Sequence, residues 1–202
     1  MGITSFYFLC FFALVLIAYY TVPLLFNKRG QWVVLLVASI IYYLIVMKDN
    51  PVLTVFPFVS AFSTWGLLKL LSKTGEEELA KRRLILVAEL VVLLGILIAF
   101  KAVKILMIPA LKMPEGLSFY TFILLGYFIE VYNGIGKRRE SFGQTLLYGI
   151  FFPFTIQGPI IKTREQGDQF FEYHKLDYKN LTFGAQRMLW GFFKALDRKS
   201  VV

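Results

Sequence analysis

Residues 1–27, MGITSFYFLCFFALVLIAYYTVPLLFN, hold no charged side chain over 27 consecutive positions. A helix needs about 20 mostly apolar residues, within roughly 17–25, to cross the hydrocarbon core of a bilayer. The run is too long for a signal-peptide core, and it lacks a basic start and a small-residue cleavage site. It reads as a retained membrane helix. Gly2 opens no myristoylation motif, because the sixth residue is Phe6 and not Ser or Thr.

Further apolar runs follow at 30–47, 50–68, 84–100, 116–131 and 141–161. The fourth is interrupted by Glu89, and the fifth carries Glu130 near its end. A last stretch, 181–196, is amphipathic. Leu181, Met188, Leu189, Phe192 and Phe193 recur at helical spacing around Arg187 and Lys194. Asp177 and Asn180 supply N-cap residue types at its start.

Composition agrees with this reading. Hydrophobic residues make up 57% of the 202 and charged residues 17%, where a soluble domain carries about 25% charged. That argues against a soluble enzyme, a disordered tail and a disulfide scaffold. The net charge of +9 is scattered between apolar blocks, so no nucleic-acid partner is expected. Cys10 and His174 are alone of their kinds, which leaves no internal disulfide and no dedicated His/Cys zinc site; no metal is expected. The fold class is all-α: a polytopic transmembrane protein of about six to seven membrane helices with the lipid bilayer as its partner. No internal repeat or low-complexity tract is visible.

The linkers alternate in charge. Lys28 and Arg29, then Lys69, Lys73, Lys81, Arg82 and Arg83, then Lys137, Arg138 and Arg139 fall on one side, and Lys48, Lys101, Lys104 and Lys112 on the other. Ten against four places the N-terminus outside the cytoplasm in a multi-pass plasma-membrane topology. Residues 105–111 form a short amphipathic piece ending near Pro114 that suits the membrane interface.

Three places need a physical reason. An acidic residue at a helix centre costs roughly 2.5–3.5 kcal/mol on insertion scales. Glu89 is therefore either a proton or substrate contact or a carboxyl that hydrogen-bonds a neighbouring helix. Glu130 is either catalytic or a snorkelling acid paired with Lys137, Arg138 or Arg139. Pro153-Phe154-Thr155-Ile156-Gln157-Gly158-Pro159 interrupts the sixth run, with the break expected at Gly158-Pro159. It forms either a broken element at a tunnel or a turn at the membrane surface. Gly134-Ile135-Gly136-Lys137 is a flexible turn and not a phosphate loop. Asn180-Leu181-Thr182 matches a glycosylation sequon. His174, in a polar stretch, reads as a solvated loop residue.

The motifs then become recognisable. Pro114-Glu115-Gly116-Leu117-Ser118-Phe119-Tyr120-Thr121-Phe122 resembles the P-x-G-I-S-F-Y-T-F signature of membrane-bound O-acyltransferases. Gly126-Tyr127-Phe128-Ile129-Glu130-Val131-Tyr132 is similar to its S-Y-x-I-D-V-Y continuation, with Glu for Asp. Phe151-Phe152-Pro153-Phe154-Thr155-Ile156-Gln157-Gly158-Pro159-Ile160 resembles F-F-P-x-x-I-x-G-P-I, and Gly184 with Trp190-Gly191-Phe192-Phe193-Lys194 resembles G…W-G-x-F-K-K. Tyr19-Tyr20, Pro23 and Tyr42-Tyr43 suit the branch of the bacterial alginate O-acetyltransferases, beside the D-alanyl transferases of teichoic acid synthesis.

The resemblance implies a helical funnel around a tunnel through the bilayer. No cofactor is bound. An acyl group, here acetyl, arrives from the cytoplasmic side as a thioester co-substrate, acetyl-CoA or an acyl-carrier. A hydroxyl of an extracytoplasmic polysaccharide accepts it, with an extracytoplasmic glycan-acylating partner in attendance. The family's general-base His lies downstream of the Trp-Gly-x-Phe-Lys helix, and His174 does not match it, so no catalytic residue is assigned. The tunnel-lining candidates are Ser118, Tyr120, Thr121, Glu130, Thr155, Gln157, Gly158 and Pro159. On this reading 1–196 is the N-terminal part of the acyltransferase domain and inactive alone. Residues 197–202, codable by a common sequencing-adapter sequence, are a non-native tail. Two other classes stay open: a small proton-coupled transporter or flippase using Glu89 and Glu130, and a non-catalytic accessory membrane subunit.

Overall fold

The computed structural model describes residues 6–25, 30–75, 77–105, 113–155, 167 and 169–200, and among these there is no strand. The elements are α1 (Phe6–Leu25), α2 (Gln31–Val46), α3 (Val55–Leu71), α4 (Leu79–Ile105), α5 (Leu117–Tyr132), α6 (Phe142–Ile150), α7 (Phe152–Thr155) and α8 (Tyr178–Ser200). One-turn 3₁₀ helices lie at Pro51–Thr54 and Gln169–Phe171. The fold is all-α, as the sequence implies. Pro51–Leu71 and Leu79–Val103 are each long and apolar enough to cross a membrane, and Phe6–Val22, Gln31–Val46 and Leu117–Tyr132 are shorter apolar helices.

Boundaries follow local chemistry. Helix α4 begins earlier than its apolar run, because Lys81, Arg82 and Arg83 end the hydrophobicity but not the helix. Arg82 bonds the Tyr132 carbonyl at 3.3 Å and lies 5.5 Å from the centre of that ring, tying α4 to the end of α5. Helix α5 starts at Gly116, whose φ of 73° lies in the left-handed region that glycine enters without a Cβ clash. The motif glycine thus has a local reason. Ser141 caps α6 in a reciprocal pair with Gln144. Asp177 Oδ1 accepts from the Lys179 N–H at 3.0 Å at the start of α8.

Helix α3 lies at the centre, against α4, α5 and α6, while α2 packs on α1 and α6. The inner face of α3 carries Pro57, Ser60, Ala61, Thr64, Leu68 and Leu71. Its small residues let neighbouring helices approach closely. The main core joins Ala61 to Leu93, Leu97, Tyr120, Leu124 and Leu146. Outward, Val37, Ile41 and Leu44 on α2 and Leu84, Val87, Val91 and Ile98 on α4 are exposed. Such continuous apolar stripes suit lipid and not water. Helix α8 stands apart: Phe183, Leu189, Trp190 and Phe193 are 58–68% exposed.

Gly149 marks the tightest contact of α6 with α5. A Cβ there would meet Leu124 Cδ2 at 3.0 Å. Gly149→Val is expected to push these helices apart at a cost of about 1–3 kcal/mol. Detergent-solubilised thermal melting would show it as a lowered Tm; an unchanged Tm would mean that Leu124 yields freely.

Residues 141–161 do not form one helix. The break falls at Phe151 (φ −53°, ψ 116°), two residues before Pro153 and well before Gly158-Pro159. Proline in mid-helix lacks its N–H and clashes with the carbonyl four residues earlier, so the chain turns before it. The Phe152 N–H freed by the turn donates to Ser39 Oγ on α2 at 3.2 Å, and Ser39 Oγ–H donates to the Leu35 carbonyl at 2.7 Å. The expected break at Gly158-Pro159 lies outside the described residues, as does most of the interface piece at 105–111.

Candidate functional site

The break point sits in a cage of rings. Phe152 is 2% exposed. Its ring lies 6.2 Å from Phe8, 5.4 Å from Phe11, 6.3 Å from Phe12 and 5.7 Å from Tyr42, centre to centre. These spacings fall in the range of favourable aromatic pairs. The cage fixes where α7 starts, and so where Phe151 and Phe154 point.

Those two rings wall a cavity of about 420 Å³. Tyr19 and Tyr20 near the end of α1 and His174 and Lys175 also line it. The segment 169–177 is held across it like a strap. Gln31, the first residue of α2 and 3% exposed, grips His174 twice. Its Nε2 donates to the His174 carbonyl and its Oε1 accepts from the His174 N–H, both at 2.8 Å. Tyr19 Oη bonds His174 Nδ1 at 3.2 Å. Arg139 lies 4.6 Å from the centre of the Phe171 ring and steadies the other end of the strap. Tyr127 Oη accepts from the Arg139 N–H at 2.6 Å. The motif tyrosine thus orders the loop before α6.

His174 is therefore not a solvated loop residue; it is half-buried and anchored through backbone and ring. Nothing in the local sequence signals this, because its partners lie 143 and 155 residues away. Gln31 likewise passes as the polar edge of an apolar run.

The tunnel-lining candidates separate into groups. Tyr120 and Thr121 are 0% and 1% exposed on the inner face of α5, and neither Tyr120 Oη nor Thr121 Oγ1 has a hydrogen-bond partner among the described residues. Ser60 Oγ on α3 is in the same condition. Buried polar atoms without partners cost about 1–3 kcal/mol each, and none of these three is among the described residues that line the cavity under the strap. Ser118 is half-buried in the first turn of α5. Glu130 is half-buried near the other end of α5, away from those hydroxyls; its carbonyl accepts from Ile135 and Gly136. Thr155 ends α7, and Gln157, Gly158 and Pro159 lie outside the described residues.

Glu89 takes the helix-pairing arrangement. It is 0% exposed, and its Oε1 bonds Thr64 Oγ1 on α3, which also donates to the Ser60 carbonyl at 2.9 Å. Among the described residues no group of His, Cys, Asp and Glu could hold a metal ion.

A bundle of apolar helices with exposed apolar stripes defines a polytopic membrane protein. The chain is 29% identical over 199 residues to the probable alginate O-acetylase AlgI of Azotobacter vinelandii, covering 91% of this chain and 38% of that protein. It is 28% identical over 183 residues to the same-named protein of Pseudomonas aeruginosa, with 83% and 34% covered. For that of Pseudomonas fluorescens the figures are 27% over 169 residues, 83% and 33%. The resemblance to membrane-bound O-acyltransferases drawn from the motifs is thereby borne out. The chain spans about a third of the length of these curated relatives. No protein-family model and no solved structure matches it significantly.

Proposed function

We propose that this chain forms part of a membrane-bound O-acyltransferase that moves an acetyl group from a thioester donor to a hydroxyl of an extracytoplasmic polysaccharide. The observation that carries the reading is the similarity over 83–91% of the chain to probable alginate O-acetylases. The linker charges support an N-terminus outside the cytoplasm. The start of α2 and the His174 strap then face the cytoplasm, the side from which the donor arrives. On the same topology the buried hydroxyls of Tyr120, Thr121 and Ser60, near the starts of α5 and α3, lie towards the extracytoplasmic side, where the acceptor arrives. Acyl transfer needs a general base within reach of the acceptor hydroxyl, and the family's His has no counterpart in these residues. The 202 residues alone are therefore expected to be inactive.

A chimera tests this. The matching third of the Pseudomonas aeruginosa relative is replaced by this chain, and acetyl transfer to alginate is followed in membranes. The chimera is expected to acetylate alginate and the 202-residue chain to give no turnover above background. A silent but well-folded chimera would overturn the acyltransferase reading. Turnover by the chain alone would overturn the claim that the base lies elsewhere.

A further inference from the structure

The cavity under the strap has a polarity of its own. Its floor is aromatic, from Phe151, Phe154 and Phe170, and its rim carries Lys175, His174 and Asn180. Among the described lining residues there is no Asp or Glu. When Tyr19 Oη–H donates to His174 Nδ1, the ring proton sits on Nε2 and makes it a donor. Nε2 has no partner among the described residues. An ammonium, an imidazole N–H and an amide at one mouth match an anion with several acceptor oxygens, and the aromatic floor matches a carbon chain.

We propose that His174 Nε2 and Lys175 Nζ hold the phosphate of an amphiphilic phosphate ester whose carbon arm lies along the Phe151–Phe154 wall, with Gln31 as the positioning residue that fixes the strap. Two sources share this chemistry: the phosphopantetheine arm of a thioester donor and an anionic lipid headgroup. The first source rests on the acyltransferase reading; the phosphate site does not.

The test uses the full chain in nanodiscs of phosphatidylcholine, with 4′-phosphopantetheine and pantetheine as probes. The phosphorylated probe is expected to bind about tenfold more tightly, the scale of a charge-assisted contact. Lys175→Gln, on the exposed rim and harmless to folding, is expected to remove most of that preference while leaving pantetheine binding unchanged. Gln31→Leu should weaken the preference and open 169–177 to protease. In nanodiscs containing phosphatidylglycerol, Lys175-dependent retention of that lipid with loss of the probe preference assigns the headgroup as the occupant. Equal binding of both probes, with no Lys175-dependent lipid retention, overturns the proposal. A chimera that transfers no acetyl group while the phosphate preference persists defeats the acyltransferase reading and leaves this site standing.

Discussion

Phe152→Ala is expected to destabilise the bundle by about 3 kcal/mol, at the low end of the roughly 3–5 kcal/mol seen for buried aromatics in soluble cores. The reduction has a cause. In a bilayer the separated helices are already out of water, so little transfer free energy is lost. What is lost is packing: Phe152 touches the rings of Phe8, Phe11, Phe12, Tyr42 and Phe151. It also follows directly on the backbone break, with its N–H on Ser39. Truncation would therefore loosen α1 and α7 together. Unfolding in mixed detergent, followed by tryptophan fluorescence, should shift to markedly lower denaturant. Ser39→Ala, which removes only the cap, should shift it by about 1 kcal/mol or less. Equal effects for the two variants would mean that the cap and not the cage positions α7.

Glu89→Lys is expected to abolish the folded bundle. The site is 0% exposed, and its neighbour Thr64 lies on the central helix. An ammonium placed there has no anion to meet, and stranding a charge in a buried pair costs about 3–5 kcal/mol. Glu89→Gln keeps an oxygen for Thr64 and should leave stability within about 1 kcal/mol, the usual worth of an interhelical hydrogen bond in membranes. The measurement is the yield of monodisperse protein after detergent extraction, with Tm for whatever survives. Good yield of the Lys variant would show that water reaches Glu89, and the transporter reading would regain ground.

Much of this fold was legible because membrane helices announce themselves by uninterrupted apolarity. Helices α2, α3 and α5 begin and end within a few residues of the runs at 30–47, 50–68 and 116–131. The sequence could not say which way each helix faces. Periodicity is weak where every side is apolar, so beyond the motif residues Tyr120 and Thr121 the inward set of α5, such as Ile123, Leu124 and Phe128, emerges only from packing. The interruption of the sixth run by its prolines was legible, and the chain turns at Phe151, before Pro153; the break expected at Gly158-Pro159 lies outside the described residues. Proline acts on the turn preceding it, and the Ser39 that makes the earlier position tolerable lies 113 residues away. The strap was invisible for the same reason: its anchors, Gln31 and Tyr19, are ordinary residues until the chain returns to them.

The contact between Thr64 and Glu89 also has an order in time. The two residues are 25 positions apart, and Thr64 is made first. At about 5–20 residues per second the acid follows its partner by a few seconds. Helix α3 can thus be waiting beside the translocation machinery when α4 emerges, offering a hydroxyl to a segment that would otherwise bring an unmatched carboxyl into lipid. Biosynthetic sequence, and not only final geometry, makes the acidic helix admissible to the membrane.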